Sequence, residues 1–381
     1  MESSGRKAFA GRATIRDDFS AREAPHMSGP ETSLPEIPLP EIPWSALAAP
    51  LVAAEDALAR LDERLRTGSV SEGWVARSHF GDACASLWVE GELVTLEDLA
   101  LHDAGMDIRA PTPQLIRARA VVDARRLVAA QAPGRALSPE GLARLCGGET
   151  PAAASPAPAA VADSANDSLD AALALVDAAL ARSAKVLAEA APAAAADGDT
   201  AGHLACVAAW RRFAGALDHL PPVLAAGLLW DAWETAPPVR QGAWLGRLLA
   251  ADYLRARDKA SAHLPCVNAG LRLTPWEQRR SRDGTVRLAA WCEAMRAGAA
   301  AGLREYDRIA LAVAMLERKL ARRRATSRLP ALISLAACRP LLTAGIVART
   351  LGVSARAAQT LIAELGLRET TGRGRYRAWM L

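Results

Sequence analysis

The chain has 381 residues, of which 51% are apolar and 23% are charged, and its formal net charge is +4. That length predicts two or three domains with enough apolar material for a substantial core. The sequence contains no uncharged run of about 18 apolar residues and no basic segment followed by an apolar one at its start. It therefore predicts neither a membrane-spanning helix nor a secretory leader. We expect a cytoplasmic protein that starts at Met1 or Met27.

The charge is distributed unevenly along the chain. Residues 318–381 hold thirteen arginines or lysines against two glutamates, a net charge of +11 that leaves −7 for residues 1–317. Arginine outnumbers lysine 42 to 4 throughout, so arginine content alone carries no functional meaning. The local imbalance of charge is informative, because a basic terminal segment on an acidic body is typical of a nucleic-acid-binding module.

The chain shows no spacing typical of a metal or cofactor site, and we expect neither. The six cysteines form no CxxC pair, which favours small buried side chains in a reducing compartment. His79 and His102 lie near Asp82 and Asp103, where a polar site is one interpretation and ordinary capping or surface residues the other.

Helical periodicity dominates, and the fold class predicted is mostly α. The predicted domains are a disordered arm at 1–43, a helical region at 44–146, an Ala/Pro linker at 147–167, a helical bundle at 168–325 and a terminal module at 326–381. The predicted helices are 44–70, 74–90, 113–131, a short one from Ser138, 168–191, 198–218, 221–234, 243–256, 284–302, 304–324, 344–350 and 355–365.

The last two helices form the sharpest pattern in the chain. Thr343 and Ser354 can each cap a helix, and Gly352 supplies the tight turn between them. This spacing is typical of a helix-turn-helix, whose second helix enters the major groove of DNA. The predicted inward positions are Val347, Leu351, Val353, Ala358, Leu361 and Leu365, and the predicted outward positions are Ala355, Arg356, Gln359, Thr360 and Ala363.

A β-hairpin wing is predicted after the second helix, with strands at 366–370 and 376–379 around an arginine-rich glycine turn. The alternative is that this module contacts protein instead of DNA. The predicted DNA-contacting residues are Ser354, Arg356, Gln359, Thr360, Arg373, Arg375 and Arg377.

Three stretches of the chain resemble Fic (filamentation) proteins. Ser86-x-x-x-Glu90-Gly91 resembles the N-terminal Fic motif, residues 238–249 resemble the end of the Fic signature, and many Fic proteins append a helix-turn-helix. Ala236 or Pro237 stands where the signature places its catalytic histidine, and the acidic metal ligand and Gly-Asn-Gly-Arg loop are missing. A transferase would therefore be divergent or inactive.

The resemblance also pairs Glu90 with Arg247, which we expect within salt-bridge distance as a structural relic; the alternative is two ordinary surface charges. From Trp44 to Trp379 the chain resembles, above all in 74–140, 261–283 and 326–381, a rhizobial, often plasmid-borne family of helix-turn-helix proteins. That resemblance implies DNA binding. A homodimer is possible, a small-molecule effector is unknown, and a helical protein-interaction scaffold is a further alternative.

The loop at 261–283 carries Asn268, Arg272, Arg279, Arg280, Arg282 and Asp283, which we interpret as solvated charges with anion binding as the alternative.

Overall fold

The computed structural model describes residues 37–106, 110–146, 200–235, 242–320, 327–371 and 377–381. Most of these residues are helical, which confirms the mostly α fold class. The predicted disordered arm (apart from 37–43), the linker and the helix 168–191 lie outside the described residues. Within the described ranges, none of the helices has both the length and the apolar run needed to cross a bilayer.

The described helices include a counterpart of each helix predicted within these ranges, together with short helices at 96–103, 267–272, 276–279 and 329–338 that were not predicted. They are α1 (Trp44–Thr67), α2 (Ser71–Val89), α3 (Leu96–Asp103), α4 (Pro113–Ala129), a 3₁₀ turn (Arg135–Leu137), α5 (Pro139–Cys146), α6 (Thr200–Ala216), α7 (Pro222–Thr235), α8 (Ala243–Ala256), α9 (Val267–Arg272), α10 (Trp276–Arg279), α11 (Gly284–Leu320), α12 (Leu329–Cys338), α13 (Ala344–Leu351) and α14 (Ala355–Leu365).

The helices before and after the predicted linker share one apolar core. Leu47 and Leu58 of α1 bury their side chains in the same cluster as Trp210, Trp233 and Trp291 from the later helices. Helix α1 carries a regular stripe of buried leucines, and this stripe packs along α11. The body is thus built from both predicted regions together.

The long helix α11 corrects the prediction of two helices at 284–302 and 304–324. Gly284–Leu320 is one continuous helix of 37 residues. The helix continues through Gly302, whose lack of a side chain allows close packing against α1 and α2. A Cβ atom there would lie 3.0 Å from side-chain atoms of both Leu61 and Trp74, so a larger residue would require these two side chains to shift.

The segment 261–283 is also different from the predicted loop, since it contains the two short helices α9 and α10. Asn268 and Arg279 are buried, not solvated. Arg279 donates from Nε to the Thr274 carbonyl at 3.1 Å, and its guanidinium lies 5.7 Å from the Trp88 ring centroid. The prediction of solvated charges was wrong for these two residues, because local polarity gave no sign of their distant partners.

The terminal module packs directly on the body. A Cβ at Gly73 of α2 would lie 2.8 Å from the Ala337 carbonyl oxygen, so α2 and α12 are in close backbone contact. Arg77 Nη1 donates to the carbonyls of Arg339, at 2.7 Å, and Ala336, at 3.3 Å. Helix α12 is therefore joined to the body by packing and by a buried guanidinium.

Candidate nucleic-acid interface

Side-chain caps fix where helices α13 and α14 begin. Thr343 accepts a hydrogen bond from the Ile346 amide and Ser354 accepts one from the Ala357 amide, each at 3.2 Å. These contacts satisfy amides that a helix start leaves unpaired. Gly352 ends α13 with φ +63°, a left-handed conformation that a side chain disfavours. The result is two helices joined by a short turn, as in a helix-turn-helix.

The outer face of α14 presents the predicted side chains to solvent. Arg356, Gln359 and Thr360 are all exposed, as are Ala355 and Ala363. Thr360 Oγ1 donates to the Arg356 carbonyl at 3.1 Å, which leaves its oxygen free to accept another bond. Arg356 has no ion-pair partner in the described part of the chain. The face therefore combines a cationic donor, an amide and a hydroxyl.

The inner face of α14 differs from the prediction in one position. Ala358, Ile362 and Leu365 are buried, whereas Leu361 is only half-buried. Ile362 was missing from the predicted inward set. It belongs to one buried cluster with Leu332 of α12 and Val347 of α13, and positions 358, 362 and 365 follow the three-to-four residue spacing more closely.

The module contains a three-stranded antiparallel sheet in the order β1–β3–β2, in which one strand precedes α13 and two follow α14. Its strands are β1 (Leu342–Thr343), β2 (Arg368–Glu369) and β3 (Ala378–Met380). The pairing of β2 with β3 matches the predicted hairpin, although β3 begins two residues later than predicted. The strand β1 was not predicted. It completes the sheet because a two-stranded hairpin alone is marginal in water.

The predicted arginines of the hairpin differ in their surroundings. Arg377 forms an ion pair with Glu369, and its guanidinium lies 5.4 Å from the Trp379 ring centroid. The hydrogen bond to Glu369, followed by the charge of that carboxylate, raises the pKa of the Arg377 side chain. Arg377 is thus engaged within the sheet. Arg373 and Arg375 lie outside the described residues.

Two further exposed arginines belong to this module. Arg349 near the end of α13 and Arg368 of β2 are exposed and form no ion pair within the described ranges. Both contribute to the positive charge of residues 318–381, but neither was among the predicted DNA-contacting residues. That positive charge was the available signal, since neither residue lies in a recognisable motif.

The body holds a second polar cluster around Arg247, which is fully buried. Its Nη2 lies 2.5 Å from Glu90 Oε1, so the two side chains that the sequence analysis paired are in direct contact. Arg247 Nε also donates to Asn268 at 2.6 Å, Nη1 to Glu234 at 3.2 Å and Nη2 to Ser86 at 3.3 Å. Every guanidinium nitrogen therefore has a protein partner.

The cluster continues through Asn268 to a buried carboxylate. Asn268 Nδ2 donates to Asp82 at 2.8 Å, and Arg125 Nη1 lies 2.6 Å from the same oxygen of Asp82. Arg125 Nη2 also donates to the Leu264 carbonyl at 3.1 Å. This chain of contacts ties α2, α4, α8 and α9 together, and Arg125 Nε is its one buried nitrogen without a hydrogen-bond partner among the described residues.

The polar residues around His79 are likewise held by neighbours. Asp103 forms ion pairs with Arg126 and Arg119, at 2.7 and 3.2 Å. Burial, with smaller repulsions from nearby arginines, lowers the pKa of His79 to about 3, so its ring is neutral at pH 7. Among the described residues, no three His, Cys, Asp or Glu side chains come together as a metal site.

The geometry at the end of the chain defines a helix-turn-helix DNA-binding domain. A family model described as "HTH DNA binding domain" matches residues 329–381. A second model, described as "Protein of unknown function (DUF1612)", matches residues 199–321 of the body. These matches do not show the Fic resemblance.

A relative is known from Sinorhizobium fredii (strain NBRC 101917 / NGR234). The chain is 42% identical over 367 residues to the "Uncharacterized protein y4cF" of that organism. The alignment covers 88% of this chain and 97% of the relative. The chain therefore belongs to the same family as this y4cF protein.

Proposed function

We propose that the protein is a sequence-specific DNA-binding regulator of transcription. The observation that carries the proposal is the exposed face of α14, where Arg356, Gln359 and Thr360 point to solvent on a capped helix. Arginine and glutamine form bidentate hydrogen bonds with guanine and adenine in the major groove. The paired strands β2 and β3 would act as a wing on the backbone or minor groove, and Arg373 and Arg375, which lie between them in the sequence, would add positive charge there.

The charge of the module supports DNA over a protein partner. Residues 327–381 contain eight arginines and two glutamates, and one glutamate pairs with Arg377. Arg349, Arg356 and Arg368 remain exposed without ion-pair partners in the described ranges. A surface of this kind attracts the phosphates of nucleic acid, and each phosphate that it neutralises releases counterions.

Fluorescence anisotropy with a random-sequence duplex tests DNA binding as such. We expect measurable affinity at low salt and a steep loss on raising the salt. Four phosphate contacts would reduce the affinity roughly a hundredfold between about 50 and 200 mM salt, because each contact releases counterions. No affinity at low salt would contradict the proposal and favour a protein-contacting module.

The matched variants are Arg356→Ala on α14 and Arg60→Ala on α1, where Arg60 is 70% exposed and pairs with Asp56. Both remove one positive charge. We expect only Arg356→Ala to weaken binding to the duplex. Equal losses in both variants would mean that net charge, and not the α14 face, is responsible.

The alternative function, a divergent Fic-like nucleotidyl or phosphoryl transferase, has less support. Such an enzyme needs charged groups positioned around the transferred phosphate. Arg247, which the resemblance pairs with Glu90, uses all its nitrogens on Glu90, Glu234, Asn268 and Ser86. This supports a structural role for Arg247.

A further inference from the structure

A cleft of about 830 Å³ lies on the body, between the end of α2 with the turn that follows it and the short helix α10. Its volume falls in the range of small-molecule sites, about 300 to 1,000 Å³. The first wall includes Trp88, Glu90 and Leu93, and the second includes Trp276 and Arg279. The cleft therefore adjoins the buried Arg247 cluster through Glu90, but most of its side chains do not belong to that cluster.

Three large apolar side chains are exposed in this cleft. Leu93 is 78% exposed, Trp276 is 62% exposed and Trp88 is 38% exposed. Single exposed apolar residues are common on protein surfaces, whereas several that line one concave site are typical of a place where another molecule binds. Two tryptophans among them favour a ligand that carries an aromatic ring, because such rings stack on one another.

Arg279 supplies a cation with unused hydrogen-bond donors. Its Nε donates to the Thr274 carbonyl at 3.1 Å, which restrains the guanidinium. Nη1 and Nη2 form no hydrogen bond or ion pair within the described ranges, and neither is among the fully buried polar atoms that lack a partner. Both nitrogens therefore reach the accessible surface, and the side chain lines the cleft. Two such nitrogens can donate parallel hydrogen bonds to one carboxylate.

The carboxylates that line the cleft are already paired with other residues. Glu90 contacts Arg247, and Glu92 contacts Arg117. Arg279 has no carboxylate within ion-pair distance in the described part of the chain. The guanidinium of Arg279 is therefore available to an anion from solution.

The surrounding charges leave the position of Arg279 positive. Burial lowers the pKa of Arg279, and repulsion from Arg280 and Arg247 lowers it further, ahead of the opposing attraction of Glu234 and Glu277. Arginine stays protonated at pH 7 in spite of such a shift. The guanidinium therefore lies where positive charge is incompletely compensated, and a bound anion would improve that balance.

The cation and the most exposed ring of the second wall are neighbours on α10. Trp276 and Arg279 are three positions apart in this helix, so their side chains lie close together on one side of it. A planar ligand can then place its ring against the indole and its acidic group at the guanidinium. The spacing thus favours a small molecule that combines both groups.

We propose that this cleft binds a small planar aromatic carboxylate, held by paired hydrogen bonds from Arg279 and by stacking of its ring on Trp276. Leu93 contacts the other side of the ring. A single negative charge suits the site better than two, because Glu90 and Glu92 line the same cleft and would repel a second one. The proposed site lies in the body and does not depend on the proposed DNA binding.

Isothermal titration calorimetry of the full-length protein with 2-naphthoate tests the ligand class. We expect 2-naphthoate to bind at least tenfold more tightly than 2-naphthamide, which has the same ring but no charge. We expect 2-naphthyl phosphate, which carries more negative charge, to bind no more tightly than 2-naphthoate. The absence of 2-naphthoate binding, equal affinity for the amide, or tighter binding of the phosphate would overturn the proposal.

Two tryptophan variants locate the binding. Trp276→Ala should weaken 2-naphthoate binding at least fivefold, because the stacking surface is lost. Trp44→Ala is the matched control, since Trp44 at the start of α1 is 48% exposed and lies outside the cleft. Equal affinity of Trp276→Ala and the wild type would place the probe elsewhere and overturn the proposed site.

The role of Arg279 is tested by the preference between two probes. Arg279→Met should bind 2-naphthoate and 2-naphthamide within twofold of each other, because the charge that distinguishes them is gone. Arg304→Met removes the same charge from an exposed position outside the cleft and should keep the tenfold preference. A tenfold preference in Arg279→Met would contradict the assignment. Trp276→Ala, at an exposed position, decides the site if the buried Arg279→Met does not fold.

These titrations contain no DNA, so they separate the two proposals. A protein that binds 2-naphthoate as described but has no affinity for any duplex would refute the proposed function and support this site. DNA binding without 2-naphthoate binding would do the reverse.

Discussion

Arg247 illustrates how a buried charge can organise this body. Its side chain is fully buried, and Glu90 and Glu234 supply two carboxylates at its rim that are 22% and 16% exposed. Taking a guanidinium out of water is costly, so the surrounding hydrogen bonds are needed to offset the loss of hydration. Removing the arginine would leave both carboxylates and Asn268 without their main partner.

We therefore expect the substitution Arg247→Met to cause a large loss of stability. We expect the free energy of unfolding to fall by about 3 kcal/mol, as for breaking other buried ion pairs. Denaturant unfolding followed by circular dichroism measures this change. Arg308→Met, which removes an exposed pair with Glu305, provides the control and should cost less than about 1 kcal/mol. A similarly small effect for Arg247→Met would mean that the cluster is not structurally important.

His79 gives the second prediction at this scale, on pH dependence. Burial holds the pKa of His79 at about 3 in the folded protein, against about 6.5 in the unfolded chain. Between these values the unfolded chain binds a proton that the folded protein does not, so stability is lost as the pH falls. Replacing the histidine removes its contribution to the pH dependence of stability.

We expect His79→Phe to unfold with a weaker dependence on pH between 6.5 and 4. The slope should decrease by up to about 1.4 kcal/mol per pH unit, the value for one proton. Thermal or denaturant unfolding at a series of pH values measures it. The exposed His219 provides the control substitution His219→Gln, which should match the wild type. An unchanged slope in His79→Phe would show that His79 is protonated in the folded protein.

Helix α8 depends on close contact with α7. A Cβ atom at Gly246 would lie only 2.3 to 2.7 Å from ring atoms of Trp233, and that ring also donates from Nε1 to the Gly242 carbonyl at 3.1 Å. The fully buried tryptophan has no room to move. The glycine, which the sequence analysis connected with the Fic signature, therefore has a packing role in this fold.

Gly246→Ala is expected to destabilise the protein by about 1 to 3 kcal/mol, the usual cost of overpacking a core. Gly215→Ala is the control, because a Cβ there meets nothing within 4 Å and alanine favours a helix. Differential scanning calorimetry of both variants measures the shift in melting temperature. Equal melting of Gly246→Ala and the wild type would show that α7 and α8 separate easily.

Elements governed by neighbouring residues were predictable from the sequence. The bounds 355–365 of α14 were predicted as observed, because Ser354 caps the helix and apolar residues follow its turns. The continuity of α11 was not predictable, since Gly302 resembles a break until its packing partners are known. The short helices α9 and α10 have too few turns to show a periodic pattern.

At the scale of the whole molecule, the sequence indicated a basic terminal module but not its attachment. The contacts of Arg77 with the carbonyls of Ala336 and Arg339 join residues about 260 positions apart. Packing of α1 along α11 spans a similar separation. No local pattern encodes such pairs. Of the predicted interface, the α14 residues were placed on a common exposed face, while the hairpin turn lies outside the described residues.

The central claim is that the exposed face of α14 reads DNA sequence. Selection of duplexes from a randomised pool, with sequencing of the bound fraction, tests it most directly. The wild-type protein should enrich a defined motif, and the double variant Arg356→Ala/Gln359→Ala should lose that motif while a weaker, salt-dependent background binding remains. Enrichment of the same motif by the double variant, or of no motif by the wild type, would contradict the claim.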